Sequence, residues 1–211
     1  MKKGKFITFE GVDRVGKTTQ CGILKDYLEK QGINVISTRE PGGTPYGDQL
    51  REMVKHGSLQ SESEVLLLVA ARVENIHSVI KPAIDRGDWV ICDRFSDSTL
   101  AYQGGGRELD MEWIRQVVGN VPQMLTPDVT FYLPRPLNNH EIIGNDSFEK
   151  NGEIFYKRIE DVYQGLAKVN KKRIVTIETE SKDRRRSENE VAKDIQQNLN
   201  ERFFDHENGG R

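Results

Sequence analysis

The segment Gly11–Thr18 has the sequence GVDRVGKT, which few folds other than a nucleotide-binding α/β sheet accommodate. It matches the pattern G-x-x-x-x-G-K-[ST], in which backbone N–H groups of a loop and of the following helix N-terminus surround phosphate oxygens. The apolar run Phe6–Phe9 precedes the segment, and a helical pattern begins at Lys17. A glycine loop between a strand and a helix predicts the first unit of a parallel sheet that binds a nucleoside triphosphate.

Strand-like and helical patterns alternate along the rest of the chain. Strands are predicted over Lys5–Glu10, Asn34–Thr38, Trp89–Asp93, Asp128–Leu133 and Arg173–Glu178. Helices are predicted over Lys17–Gln31, Gly47–His56, Ser63–Arg86 (with a kink at Pro82), Asp110–Val118, Gly152–Val169 and Glu188–Phe204. Several strands are continuously apolar, which is typical of strands covered on both faces. The pattern predicts an α/β fold: a five-stranded parallel sheet flanked by helices on both faces, with the ligand at the carboxyl ends of the strands.

Length and composition narrow the class of protein further. The 211 residues contain no Pro/Gly/Ser-rich linker, so we expect one domain over residues 1–205 and a frayed tail over 206–211. The net charge of −2 disfavours nucleic acid as a partner, and the basic run Lys182–Arg186 is interpreted as solvated surface. No signal-peptide core and no membrane-spanning stretch is expected. We interpret Cys21 and Cys92 as buried thiols, which favours a soluble cytoplasmic protein.

The glycine loop assigns roles to its own residues and to one distant carboxylate. All positions from Gly11 to Thr19 are predicted to surround the ATP phosphates: Gly11, Val12, Asp13, Arg14, Val15, Gly16, Lys17, Thr18 and Thr19. Lys17 is expected to reach the β- and γ-phosphates, and the Thr18 hydroxyl to ligate Mg²⁺. Asp93 ends a core strand and is either a turn residue or, as we favour beside such a loop, the second metal-binding residue.

These residues fit a GTPase, an ATPase or a small-molecule kinase. The chain lacks the Asn-Lys-x-Asp motif that reads guanine, and it is short for a motor ATPase. Phosphoryl transfer to a small acceptor is the class that remains.

Further motifs make the chain similar to one family. They are FEGVDR with GKTTQ, the segment TREPGGT (Thr38–Thr44), AAR (Ala70–Arg72), DRF (Asp93–Phe95) and AYQGGGR (Ala101–Arg107). Together they resemble the thymidylate kinases, over most of the chain but more weakly after Leu133. The resemblance implies a P-loop nucleoside monophosphate kinase fold with a short lid at about 138–152. It also implies transfer of the γ-phosphoryl of ATP to dTMP with Mg²⁺, and a homodimer.

The resemblance implies roles for individual residues in binding dTMP. Asp13 accepts hydrogen bonds from the sugar 3′-hydroxyl, although it could instead cap the loop. Arg94, also assigned to catalysis, and Arg51 clamp the 5′-phosphate with planar guanidinium groups, and Arg39 lies in the same turn. For Arg51 a solvent-facing position remains the alternative.

The base and the deoxyribose also receive candidate residues through the resemblance. Arg72 is expected to hydrogen-bond the pyrimidine O4, which distinguishes thymine or uracil from cytosine. Ser98 and Gln103 are expected at the base edge, and Tyr102 against the deoxyribose.

Two departures from the family pattern modify these expectations. Leu68 occupies a position that is usually Phe, so the base loses an aromatic stacking partner, and we hypothesise relaxed selection toward dUMP or 5-substituted dUMP. The lid segment His140–Gly152 contains no arginine, whereas the loop carries Arg14. Since one arginine is needed near the transferring phosphoryl oxygens, Arg14 is the candidate, alongside Lys17, Asp93 and Arg94 as catalytic residues.

Two alternatives remain open at the level of sequence. A deoxynucleoside kinase has a similar loop but phosphorylates an uncharged acceptor, and a non-catalytic module binds nucleotide without transferring it.

Overall fold

The computed structural model describes residues 3–121, 123–136, 152–182 and 184–204. Within them the chain forms a five-stranded sheet in the order β2-β3-β1-β4-β5, in which all neighbouring strands are parallel. The strands are β1 (Phe6–Glu10), β2 (Val35–Arg39), β3 (Trp89–Asp93), β4 (Val129–Tyr132) and β5 (Ile174–Thr176). All five predicted strands are confirmed, although most are shorter than their sequence patterns.

Helices cover both faces of this sheet, as predicted. The α-helices are α1 (Lys17–Lys30), α2 (Pro45–His56), α3 (Ser61–Asn75), α4 (Lys81–Arg86), α5 (Ser96–Thr99), α6 (Met111–Gly119), α7 (Gly152–Val169) and α8 (Glu188–Phe203). On one face, Ile7 of β1 clusters with Leu24 of α1. On the other, Phe6 clusters with Ile80 and Ile84. Successive side chains of a strand point to opposite faces, and because helices cover both faces every residue of β1 is buried.

The predicted helix Ser63–Arg86 is divided into two. A π-helical turn, Ile76–Ile80, joins α3 to α4, and Pro82 lies in the first turn of α4. Proline has no N–H to donate and its ring clashes with the preceding turn, so the regular hydrogen-bond ladder cannot continue through it. The predicted interruption at Pro82 is therefore confirmed.

One helical segment was not predicted. Residues Ser96–Gly106 form α5 and a following π-helical segment, Leu100–Gly106. Its three glycines have low helix propensity, which hid it in the sequence. Packing requires them: a Cβ atom on Gly105 would lie 2.9 Å from Arg158 O of α7, and one on Gly106 would lie 2.4 Å from the Phe155 ring.

The sheet register places the functional residues at one edge. Phe9 of β1 is paired with Asp93 of β3, so Glu10 and Asp93 end neighbouring strands at the same carboxyl edge. The glycine loop follows β1 at that edge and α5 follows β3. The predicted lid (138–152, apart from Gly152) and tail (206–211) lie outside the described residues, and the single-domain boundary at 205 remains a prediction.

Candidate active site

The glycine loop connects β1 to α1 in a conformation that depends on glycine. Gly11 has φ 136°, and a Cβ atom there would lie 2.3 Å from Leu133 O. Gly16 has φ 103° and immediately precedes α1. Both conformations are strained for residues with a Cβ atom, which explains why glycine occupies these two positions of the loop.

Two cations of the loop lie in different environments. Lys17 is buried, and its Nζ donates to Val12 O at 2.6 Å. Burial, followed by repulsion from Arg94, lowers the pKa of Lys17 to about 8. Arg14 is at the exposed tip with φ 61°, and its carbonyl accepts a hydrogen bond from Arg185 Nη2 at 3.3 Å. The loop thus has one cation over its backbone and one at its rim.

A hydroxyl and a carboxylate meet beside the loop. Thr18 Oγ1 donates to Asp93 Oδ2 at 2.5 Å, although 75 residues separate them in sequence. Hydroxyl and carboxylate oxygens are ligands that Mg²⁺ accepts, and this cation usually completes its shell with phosphate oxygens and water. No group of three or more His, Cys, Asp or Glu side chains capable of holding a metal is found among the described residues. The pair therefore fits Mg²⁺ that arrives with a nucleotide.

A cavity of about 140 Å³ opens between α2, α3 and the segment after β3. Eight predicted acceptor-site residues line it: Asp13, Arg51, Leu68, Arg72, Arg94, Ser98, Tyr102 and Gln103. Arg39 is not among the lining residues; it pairs with Asp48 at 2.8 Å on the exposed side of the same turn. Six further lining residues had no role assigned from sequence: Glu40, Pro41, Val54, Lys55, Phe95 and Thr99.

Arg94 joins the cavity to the glycine loop. Its guanidinium donates to Asp13 Oδ1 at 2.5 Å and to Gly11 O at 2.8 Å, and it also contacts Tyr102 Oη at 3.1 Å. Burial raises the pKa of Asp13, but the charges of Arg94 and Lys17 outweigh it, and the pKa falls to about 2. Asp13 is therefore an ionised acceptor at neutral pH that borders both the loop and the cavity.

Arg51 lies on the cavity wall and is partly buried. Its Nη1 donates to Pro41 O at 3.0 Å, and burial, followed by repulsion from Arg39, lowers its pKa. The solvent-facing alternative for Arg51 is thus not what the structure contains.

Arg72 is almost fully buried and is held in place by three partners. Its Nε donates to Glu40 Oε2 at 2.7 Å, and its Nη2 donates to Phe95 O at 3.1 Å and to Thr99 Oγ1 at 2.9 Å. Its Nη1 is buried without a hydrogen-bond partner among the described residues. A buried donor without a partner is costly, so this atom in a cavity wall is suited to meet an acceptor on a ligand.

Glu10 belongs to the site although the sequence suggested only the end of a strand. Its carboxylate accepts from Phe95 N at 2.8 Å, from Ser98 Oγ at 2.5 Å and from Tyr163 Oη at 3.1 Å. Burial, followed by repulsion from Asp97, raises the pKa of Glu10 to about 7. A charged residue within an otherwise apolar core strand was the signal available in the sequence.

The polar residues expected at the base edge have partners within the protein. The Ser98 hydroxyl lies between Glu10, to which it donates, and Arg94, whose Nη1 is 3.3 Å away. Gln103 Nε2 donates to Glu64 Oε1 at 2.7 Å. Both side chains still line the cavity.

The basic run Lys182–Arg186 forms surface ion pairs, as expected for a solvated segment. Arg184 pairs with Glu190 at 2.6 Å, and Arg186 pairs with Asp194 at 2.8 Å. The contact of Arg185 with the carbonyl of Arg14 was not expected.

Comparisons with known proteins agree with this geometry. A family model described as thymidylate kinase matches residues 9–203. The thymidylate kinase of Nitrosospira multiformis is 42% identical over 183 residues, which cover 83% of this chain and 89% of the relative. That of Ruthia magnifica is 44% identical over 186 residues, with 84% and 91% covered.

A solved structure gives the same result. The crystal structure of thymidylate kinase from Ehrlichia chaffeensis superimposes with a TM-score of 0.78 at 36% identity, covering 93% of this chain and 99% of that one. None of the described helices has the length and hydropathy of a membrane span. The fold is accordingly that of a P-loop nucleoside monophosphate kinase, and the chain belongs to the thymidylate kinase family, whose members use ATP to phosphorylate dTMP.

Proposed function

We propose that ATP binds along Gly11–Thr19 with Mg²⁺ beside Thr18 and Asp93, while dTMP occupies the acceptor cavity. The observation that carries this proposal is the position of Asp13, which belongs to the loop, lines the cavity and is bonded to Arg94 at 2.5 Å. Donor and acceptor are thereby held next to each other, which supplies much of the advantage of an enzyme that joins two substrates.

In the transfer step an oxygen of the dTMP 5′-phosphate attacks the γ-phosphorus of ATP, and the bond from that phosphorus to the β–γ bridging oxygen breaks, releasing ADP. Lys17 contacts the β- and γ-phosphates, and Arg14, at the exposed tip, approaches the transferring group. Mg²⁺, when bound, neutralises phosphate charge. These cations stabilise the charge that develops on the equatorial oxygens.

The acceptor phosphate and sugar are assigned to one side of the cavity. Arg94 and Arg51 bind the 5′-phosphate, and Arg39 contributes positive charge from the rim. Asp13 accepts a hydrogen bond from the 3′-hydroxyl, a role supported by its low pKa, and Tyr102 packs against the deoxyribose. The Tyr102 hydroxyl, 3.2 Å from Asp13 Oδ2, supports its place beside the sugar.

The base is assigned to the opposite side of the cavity. The unpartnered Nη1 of Arg72 donates to O4, a contact that thymine and uracil accept and that the amino group of cytosine does not. Gln103 and Ser98 lie at the base edge, and Leu68 covers one face of the ring.

A substrate panel tests the assignment. ADP release is measured with ATP, Mg²⁺ and either dTMP, dUMP, dCMP, 5-hydroxymethyl-dUMP or thymidine as acceptor. We expect dTMP to give the highest kcat/KM. Activity with thymidine but not with dTMP would identify a deoxynucleoside kinase, and ADP release unaffected by every acceptor would identify a non-catalytic module.

The same panel tests the relaxed base selection attributed to Leu68. An aliphatic side chain covers a pyrimidine without the aromatic stacking that Phe provides, so affinity depends less on the ring substituents. We expect dUMP and 5-hydroxymethyl-dUMP to be phosphorylated. A Leu68→Phe variant with an unchanged dTMP to dUMP ratio would contradict this explanation.

A homodimer through α2 and α3 is also proposed. These helices pack on each other and leave Met53 (52% exposed) and Leu66 (53% exposed) on the surface. Large exposed apolar side chains on adjacent helices are typical of an interface. Sedimentation should give twice the mass of 24.1 kDa, and Leu66→Glu should reduce it to the monomer. A monomeric parent would refute the assignment.

A cytoplasmic location is proposed from the cysteine chemistry. Cys21 and Cys92 are both free and buried. Free thiols without disulfides are usual in reducing compartments. Cell fractionation should recover the protein with cytoplasmic markers.

A further inference from the structure

Glu64 is a buried carboxylate that lies behind the acceptor cavity. It is on α3 and is 4% exposed. Its Oε1 accepts a hydrogen bond from Gln103 Nε2 at 2.7 Å, and its Oε2 accepts one from Arg107 Nη2 at 3.2 Å. Gln103 lines the cavity and Glu64 does not. Glu64 can therefore influence an acceptor through Gln103, which lies between it and the cavity.

The chemistry of Glu64 determines which way the Gln103 amide points. A carboxylate only accepts hydrogen bonds, so the amide must turn its –NH₂ group toward it. The carbonyl Oε1 then lies at the other end of the amide. No hydrogen-bond partner for this oxygen is found among the described residues, and Gln103 is 3% exposed, on the cavity wall. The end of the amide opposite Glu64 is thus an acceptor and not a donor.

This polarity matches one class of pyrimidine. Thymine and uracil carry a proton on N3 and an acceptor at O4, whereas cytosine has an acceptor at N3 and a donor amino group at C4. Arg72 Nη1 supplies a donor and Gln103 Oε1 an acceptor. A site that leaves buried polar groups unpaired with the wrong ligand rejects that ligand strongly.

We propose that Glu64 is a positioning residue for base selection: it fixes the Gln103 amide so that its carbonyl faces N3–H, which favours thymine and uracil over cytosine. The inference rests on the proposed function. The competing explanation is that Glu64 only neutralises Arg107, and then base selection does not depend on it.

Glu64→Gln tests the proposal because the contact with Arg107 determines the orientation of the introduced amide. Arg107 only donates, so it retains the carbonyl of the introduced amide and leaves the –NH₂ group of that amide facing Gln103. The Gln103 amide then turns over and presents its own –NH₂ group to the base. We expect the ratio of kcat/KM for dTMP to that for dCMP to fall at least about tenfold, the equivalent of one hydrogen bond's discrimination. The change should appear mainly as a higher KM for dTMP, with kcat altered less than about threefold.

Two further variants serve as controls, and thermal unfolding is followed for all of them. Glu64→Asp keeps an acceptor-only group and should retain most of the parental ratio. Glu62→Gln makes the same chemical change at an exposed position of the same helix and should leave the ratio unchanged.

A ratio within about twofold of the parent in folded Glu64→Gln overturns the proposal. If that variant does not fold, a crystal structure of the parent with dTMP decides: Gln103 Oε1 within hydrogen-bond distance of N3 supports the assignment, and any other group there refutes it. A parent without dTMP-dependent ADP release overturns the proposed function as well. An active parent with an unaltered ratio in Glu64→Gln overturns only the role of Glu64.

Discussion

The buried pair of Arg72 and Glu40 gives a prediction whose size can be worked from the structure. Each side chain is 3% exposed, and Arg72 also bonds to Phe95 O and Thr99 Oγ1. Arg72→Met keeps the bulk of the side chain but removes the guanidinium. Among the described residues, it leaves the buried carboxylate of Glu40 with one weak side-chain contact, Asn75 Nδ2 at 3.4 Å.

Breaking one side of a buried ion pair costs about 3–5 kcal/mol in the free energy of unfolding, because the remaining charge is uncompensated. For a domain of this size each kcal/mol lowers Tm by roughly 2–4 °C, so we expect Arg72→Met to lower Tm by about 6–20 °C. The double variant Arg72→Met/Glu40→Gln has no buried charge. It should recover at least about 1 kcal/mol of the loss, because a neutral unpaired group costs less than a charged one.

The pH dependence has a definite sign. Burial raises the pKa of Glu40 above its unfolded value of 4.5, and Arg72 opposes the shift. Without Arg72 the pKa of Glu40 rises further. Between pH 4.5 and that raised pKa, the folded protein keeps the Glu40 proton, whereas the unfolded protein releases it. Stability then decreases as pH rises from 4.5 through the raised pKa. The deficit of Arg72→Met should therefore be larger at about pH 8 than at about pH 5.

Urea unfolding of the parent, both single variants and the double variant at the two pH values measures the free energies of unfolding, and thermal unfolding of the same proteins measures Tm. Two results together would refute the reasoning. They are additive effects of the two substitutions on the free energy of unfolding, and a deficit of less than about 1 kcal/mol for Arg72→Met at the higher pH. The same proteins should lose kcat/KM for dTMP, since Arg72 is also assigned to O4.

Three further predictions concern the loop, the core carboxylate and the base. Arg14→Gly should lower kcat by at least about 100-fold with little change in KM for dTMP, because Arg14 is assigned to charge that develops only during transfer; an unchanged kcat in steady-state assays would dispose of that role. The Glu10 carboxyl of the parent has its pKa raised to about 7, so the free energy of unfolding of the parent should fall by about 3 kcal/mol between pH 4.5 and 7, at about 1.4 kcal/mol per pKa unit. Glu10→Gln should remove most of this fall. An equal pH dependence of unfolding in the parent and the variant would contradict this. Leu68→Phe should raise the dTMP to dUMP ratio of kcat/KM severalfold, measured in the same ADP-release assay.

Sequence patterns predicted the sheet well because each strand signal is local. The run Trp89–Asp93, for example, can be recognised from its own residues without knowledge of its neighbours in the sheet. Its predicted bounds are those observed. The segment Ser96–Gly106 was missed for the opposite reason. Its glycines disfavour a helix, and only the close approach of α7 explains why glycine is present.

The residues that line the cavity were easier to predict than the carboxylates that hold them in place. Five of the eight cavity-lining residues that the sequence singled out belong to short motifs: Asp13, Arg72, Arg94, Tyr102 and Gln103. Glu10, Glu40 and Glu64 had no assigned role, because a carboxylate gains its function from its partner. Glu64 and Gln103, for instance, are separated by 39 positions.

Local sequence patterns predicted the βα order, the glycine loop and the side chains suited to bind phosphate, because each depends on residues close together along the chain. Which hydrogen-bond donors and acceptors remain free to contact a substrate depends on tertiary packing. Within the described part of the chain, Arg72 Nη1 and the Gln103 side-chain carbonyl have no protein partner, whereas the other polar atoms of these side chains are bound by groups distant in sequence, among them the carboxylates of Glu40 and Glu64. Hydrogen-bond polarity at the base is thus a property of packing, since it depends on what lies behind each side chain.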